Sequence, residues 1–132
     1  MLEHLRHRVI EVLAAAQSVT LATYGPAGLQ ASLLPCEAAE MRLYLLLPAT
    51  SDHLLNLENQ SDVMVSNAAW QMRGRAVVVN SADNLPNLGL LQKAEAQWGR
   101  LIVIFPTQLN IRRGRGWGYS ETIDIDPEIP QT

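Results

Sequence analysis

The sequence predicts an α+β protein in which six to seven antiparallel strands curl into a barrel and helices lie at the periphery. Three observations predict it. An amphipathic opening segment gives way at Ser18 to short runs rich in β-branched residues, so the hydrophobic period changes from helical to extended. Turn residues, not long crossovers, separate most of those runs, which makes the neighbouring strands antiparallel. The run Leu43-Tyr44-Leu45-Leu46-Leu47 is apolar on both faces. A strand of that kind sits inside a barrel, under a helix or in a subunit interface.

Taken in order, Leu2, Leu5, Val9, Val12, Leu13 and Ala16 recur at spacings of three and four and form one helical stripe. Ser18 to Tyr24 reads as a strand, and Gly25-Pro26-Ala27-Gly28 turns the chain into a second strand from Leu29 to Pro35. A further reversal over Cys36 to Glu40 leads to the doubly apolar strand from Arg42 to Leu47, which Pro48 ends. Residues 43 to 47 are expected to be covered by a partner subunit as well as by the barrel. Ser51 caps a short helix running through Leu54, Leu55 and Leu57 to Asn59, with Asp52 favourably near its positive end. Strands follow at Asp62 to Asn67 and Trp70 to Asn80. Asn84-Leu85-Pro86 opens a third helix to about Trp98, with proline in the first turn and Leu85, Leu88, Leu91 and Ala94 on one face. Leu101 to Phe105 is a buried strand that Pro106 interrupts and Gln108 to Arg112 continues. The tail from about Asp124 is acidic, contains proline and is expected to be extended. No linker or repeat divides residues 1 to 132, which therefore read as one domain.

Composition narrows the function. The 132 residues are 48% hydrophobic and 17% charged, which suits a globular core. A net charge of −3 and a pI near 5.5 argue against nucleic acid or an anionic membrane as the main partner. Cys36 is the only cysteine, so no intrachain disulfide forms and a reducing, cytoplasmic setting is expected. No apolar run reaches the roughly 18 residues of a membrane span. Charged residues such as Glu3, Arg6 and Arg8 interrupt the first sixteen positions, unlike a secretory signal.

Three stretches together resemble the pyridoxamine 5'-phosphate oxidase-like family. Thr20-Leu21-Ala22-Thr23, the glycine turn and Ala31-Ser32 are similar to its opening hairpin. Leu43-Tyr44-Leu45, then Ser51-Asp52-His53, Asn56-Leu57 and Asp62-Val63, resemble its strand, phosphate-site helix start and next strand. The Ser-x-His and Asn-Leu pattern looks like the variant found among haem-utilisation split barrels. Trp70-Gln71-Met72-Arg73-Gly74-Arg75-Ala76 resembles a family strand bearing a Gln-x-Arg pattern.

The resemblance implies a split β-barrel, a homodimer, and FMN held in clefts between the two subunits. It implies that Ser51 and His53 at a helix start, with Arg73 or Arg75 arriving from a neighbouring strand, meet the phosphate. Gln71, Trp70 and Trp117 are the corresponding candidates for the flavin ring. The activity it implies is a flavin-dependent oxidoreductase acting on a small molecule, in which the cofactor carries the chemistry and no catalytic side chain is assigned. The chain departs from flavin-binding members by placing Asp52 and His53 where they carry Arg and Lys, and by having no basic residue from Ala31 to Pro35. Those departures keep open an alternative: a non-catalytic homodimer that has lost FMN or binds another planar or anionic ligand such as haem.

Each candidate also has a plainer reading. Ser51 serves as a helix cap alone, and His53 on the first helical turn faces solvent. Gln71 and Arg73 share one face of a strand and point to water. His4, His7 and Glu11 lack a further strong ligand, so no metal site is assigned. Arg112-Arg113-Gly114-Arg115-Gly116-Trp117-Gly118 has the Arg and aromatic content of an RNA-binding stretch. The acidity of the chain favours instead a contact to the tail or closure over an anionic ligand. Cys36 beside Glu37 is a poor nucleophile, because a neighbouring carboxylate raises a thiol pKa.

Overall fold

A computed structural model describes residues 2–80, 85–90, 92–93, 98–112 and 120–126. Its elements run α1 (Glu3–Ala14), β1 (Ser18–Thr23), β2 (Gln30–Ala39), β3 (Arg42–Pro48), α2 (Asp52–Leu57), β4 (Asp62–Ser66), β5 (Trp70–Val78), β6 (Gly99–Arg112) and β7 (Ser120–Asp124). Among the described residues every strand pairing is antiparallel. The sheet order is β3-β2-β1-β4-β5-β6-β7, and β3 pairs with β6 as well. That last pairing closes six strands into a barrel and leaves β7 as an extra strand on β6.

Alternation sorts the side chains. Val19 and Leu21 of β1, Leu34 and Cys36 of β2, Val63 and Val65 of β4, and Trp70 and Met72 of β5 point inward to one apolar core. Val9 and Leu13 of α1 reach the same core, so the predicted stripe packs on the barrel. An ion pair of 2.8 Å from Arg8 to Glu121 ties α1 to β7.

The doubly apolar strand is covered within the chain. Leu43, Leu45 and Leu47 of β3 face the barrel core, while Tyr44 and Leu46 pack under Leu88 and Leu90 and against Leu101, Val103 and Phe105. The expectation that a partner subunit must cover residues 43 to 47 is therefore corrected: the segment 85–90 folds over that face.

Other boundaries differ for identifiable reasons. The reversal expected over Cys36 to Glu40 is only the two residues Glu40 and Met41, and β2 continues through Ala39. Glu40 takes the left-handed backbone (φ 53°) that so tight a hairpin needs. Pro106 does not break β6. At that point the register against β5 shifts between Arg73 and Gly74, so Thr107 is the extra residue of a bulge, where a missing N–H is tolerated. Gly74 is needed there, because a Cβ would lie 2.8 Å from both the Phe105 carbonyl oxygen and Ile104 Cγ2. Of the third predicted helix, residues 89–90 and 92–93 are helical while 85–88 are not. Leu91 and Ala94 lie outside the described residues, as do Trp117 and the tail beyond Asp126.

Candidate functional site

Two parts of the barrel carry the residues singled out in the sequence. The first is the junction of α2 with the β1–β2 hairpin. Ser51 caps α2 by accepting the His53 N–H at 3.2 Å. His53 and Asn56 lie three residues apart, hence on one helical face, and both are buried, at 2% and 0% exposure. They point into the barrel end and meet Thr23, which is only 1% exposed.

The bonds there are short and mutually consistent. His53 Nδ1 lies 2.7 Å from Thr23 Oγ1, and its Nε2 lies 3.0 Å from Ser32 Oγ. Asn56 Nδ2 donates to Thr23 Oγ1 at 3.0 Å and to the Gly28 carbonyl at 2.9 Å, while its Oδ1 accepts the Ala27 N–H at 2.8 Å. Gly25 permits the approach, since a Cβ there would stand 2.8 Å from Asn56 Oδ1. Burial lowers the His53 pKa from its ordinary value, against a weaker opposing effect of Asp52. The sequence reading put the ring in solvent; the structure puts it inside, with both nitrogens engaged and neither left for a phosphate. Ser51 keeps its hydroxyl proton, so it can still donate outward.

The second part is the outer face of the barrel, where the registers align two rows of side chains. One row runs Ala31, Ala22, Met64, Arg73, Gln108, Asp124 across β2, β1, β4, β5, β6 and β7. The other runs Leu33, Thr20, Ser66, Gln71, Asn110, Thr122 across the same strands. The face is thus apolar at the hairpin end and polar at the β5–β7 end. Leu33 is 72% exposed, and Tyr24 and Leu29 at the hairpin tip are 69% and 75% exposed. At the polar end Gln71 Nε2 approaches Met64 Sδ at 2.7 Å, and Gln108 donates to Asp124 at 3.0 Å. Arg75 approaches Ser61 Oγ at 3.3 Å and Asp62 at 4.0 Å. The Arg73 guanidinium has no hydrogen bond or ion pair to another described residue.

Of the residues named from sequence, the structure brings Gln71, Arg73 and Arg75 onto this one face, with Ser51 and His53 at the α2 junction. Trp70 points the opposite way from Gln71, is 2% exposed and packs in the core, which removes it as an open surface for a flavin ring. Sequence reasoning missed Thr23 and Ser32 as partners of His53. A signal was available: Thr23 follows Val19 and Leu21 in the inward alternation, and a polar residue at an inward position needs a partner. Cys36 is buried, and burial, with Glu37 second, pushes its thiol up to about 11. No helix among the described residues is long and apolar enough to cross a membrane. No three metal-ligating side chains come together among them.

A six-stranded antiparallel barrel with an appended strand and helices packed against it defines a split-barrel protein. No family model matches the sequence, and no curated protein matches it. Solved structures do match. One, assigned as a pyridoxamine 5'-phosphate oxidase of Listeria innocua, is 14% identical over 81% of this chain and 97% of its own, with a TM-score of 0.64. A protein of Clostridium acetobutylicum related to general stress protein 26, of the pyridoxinephosphate oxidase family, is 11% identical over 95% of this chain and 97% of its own, with a TM-score of 0.69. HutZ, the heme storage protein of Vibrio cholerae, is 18% identical over 83% of this chain and 94% of its own, with a TM-score of 0.59. The fold of this chain is that of the pyridoxamine 5'-phosphate oxidase-like split barrels.

Proposed function

We propose that this chain is a homodimeric split-barrel protein that binds a planar, anionic cofactor, FMN in the first instance, on the outer face of the barrel. The observation that carries the reading is the pair of aligned rows. They place Gln71 and Arg73, whose guanidinium has no partner among the described residues, beside an apolar strip in which Ala31 and Leu33 are exposed and Ala22 and Met64 half-buried. A flat ring needs such an apolar bed with a few fixed polar groups at its edge, and an anion needs a guanidinium free to meet it. A second copy laid on the apolar strip would cover Tyr24, Leu29 and Leu33 and turn the open face into a cleft.

The residues fit the ring of FMN better than its phosphate at the start of α2. His53 is withdrawn into the barrel and Asp52 adds negative charge there, which leaves Ser51 as a single hydroxyl donor. Arg73 and Arg75 are therefore assigned the anionic groups, with Gln71 at the ring edge. FMN supplies electron transfer when bound; the protein's part is to hold the ring and limit its access to water. Oxidoreductase activity and a cytoplasmic location, the latter in keeping with the single cysteine, belong to the same proposal.

One observation favours a second ligand. The phosphate-poor start of α2, together with a fold shared with a heme storage protein, supports haem, whose propionates need a guanidinium but no phosphate cradle. Titration of the purified protein with FMN and with hemin, followed by absorbance and by quenching of tryptophan fluorescence, separates the two. Saturable binding of one of them, weakened at least tenfold in Arg73→Ala, is the expected result. No saturable binding of either ligand would refute the proposal.

A further inference from the structure

We propose that His53 is a pH-gated latch, which holds the β1–β2 hairpin tip onto α2 while its imidazole is neutral and releases it on protonation. The argument starts from groups with only one hydrogen-bonding role. The Ala27 N–H can only donate, so it fixes Asn56 Oδ1; the Gly28 carbonyl can only accept, so it fixes Asn56 Nδ2. The amide's orientation is thereby set, and Thr23 Oγ1 must be the acceptor of its other N–H. A hydroxyl can accept twice, but the Thr23 proton has no other acceptor among the described residues, so it goes to His53 Nδ1 across 2.7 Å. The imidazole is consequently the Nε2–H tautomer, and it donates to Ser32 Oγ. Every proton in the chain from Asn56 to Ser32 runs one way.

Protonation breaks that direction. A second proton on Nδ1 would face the Thr23 hydroxyl, whose hydrogen would be turned out of the bond in a site that water hardly reaches. The charge itself would sit on a buried ring. The counter-charge that acts on it, the exposed Asp52 beside it on α2, is weaker than the cost of burial, and Glu58 just past α2 is exposed as well. Strand β1 and residues 24–29 carry no charged side chain, and Glu37 of β2 lies toward the other end of its strand. Arg73 and Arg75 of β5 are on the outer face, and Asp62 of β4 is exposed.

The tip that the latch holds is the tight Gly25–Gly28 turn, whose Gly28 N–H bonds the Gly25 carbonyl at 2.8 Å and whose Gly28 has φ 84°. It carries the exposed Tyr24 and Leu29, so releasing it loosens an apolar surface. The inference does not depend on which cofactor, if any, the outer face takes.

Amide hydrogen exchange at Ala27, read as a protection factor against pH, tests it. Protection should be flat above about pH 6.5 and then fall by about tenfold per pH unit as the pH drops toward the lowered His53 pKa, one proton being taken up on opening. In His53→Gln, which keeps a neutral acceptor and donor, that slope should vanish. Nitrogen NMR of the wild type at neutral pH supplies a reading that needs no variant: it should show Nδ1 bare and Nε2 protonated. A bare Nε2, or an Ala27 protection factor indifferent to pH between 7.5 and 5, would overturn the proposal.

Discussion

Asn56→Ala removes three hydrogen bonds at once, to the Ala27 N–H, the Thr23 hydroxyl and the Gly28 carbonyl. At about 1 kcal/mol net for each bond, the loss is about 3 kcal/mol. The side chain is fully buried, so the vacated space adds to that figure, whereas Ala27 and Gly28 are half-buried and water can restore part of their bonding. A net destabilisation of about 3 kcal/mol follows. With a urea slope of roughly 2 kcal/mol per molar for a chain of this size, the midpoint should fall by about 1.5 M with the slope unchanged. Asn56→Asp is the sharper companion. It keeps the shape but turns the donating nitrogen into an oxygen facing two oxygens, so at pH 7 it should be at least as destabilised as the alanine variant. At pH 4 it should recover relative to that variant, as a protonated carboxyl regains one donor. An alanine variant within about 1 kcal/mol of wild type, or an aspartate variant matching wild type at pH 7, would refute the orientation assigned to this amide.

Gly74→Ala forces a Cβ against the Phe105 carbonyl at the bulge and should cost about 2 kcal/mol or more in the same assay, while Ala69→Gly on the exposed β4–β5 turn should cost well under that. The His53 pKa is lowered in the folded state, so the unfolded chain holds the extra proton first. The stability it contributes is complete above about pH 6.5 and lost as the pH falls through the lowered value. Urea midpoints from pH 8 to 5 should show that loss in wild type and less of it in His53→Gln. Cys36, with its thiol raised to about 11, should react with a disulfide reagent at pH 8 far more slowly in the native protein than in urea.

The barrel was legible because its strands carry their own punctuation. The Gly25–Gly28 turn, the inward alternation of Val19 and Leu21 and the doubly apolar β3 each follow from local pattern. Long-range facts were less legible. Nothing near Tyr44 or Leu46 in sequence shows that Leu88 and Leu90 fold over them, so the pattern alone leaves barrel, helix and subunit interface open as cover for that face. Pro106 reads as an interruption of the strand because the bulge that accommodates it depends on Gly74, on another strand. His53 was placed in solvent because a histidine on a first helical turn commonly is. Its burial depends on Thr23 and Ser32, which only the hairpin's closure brings to it.

Light scattering with in-line absorbance, on protein incubated first with FMN and then separately with hemin, addresses the cleft most directly. A particle of twice the 14.6 kDa chain mass that carries one of the two chromophores through the column is the expected outcome. A colourless species at the mass of one chain in both runs would contradict it.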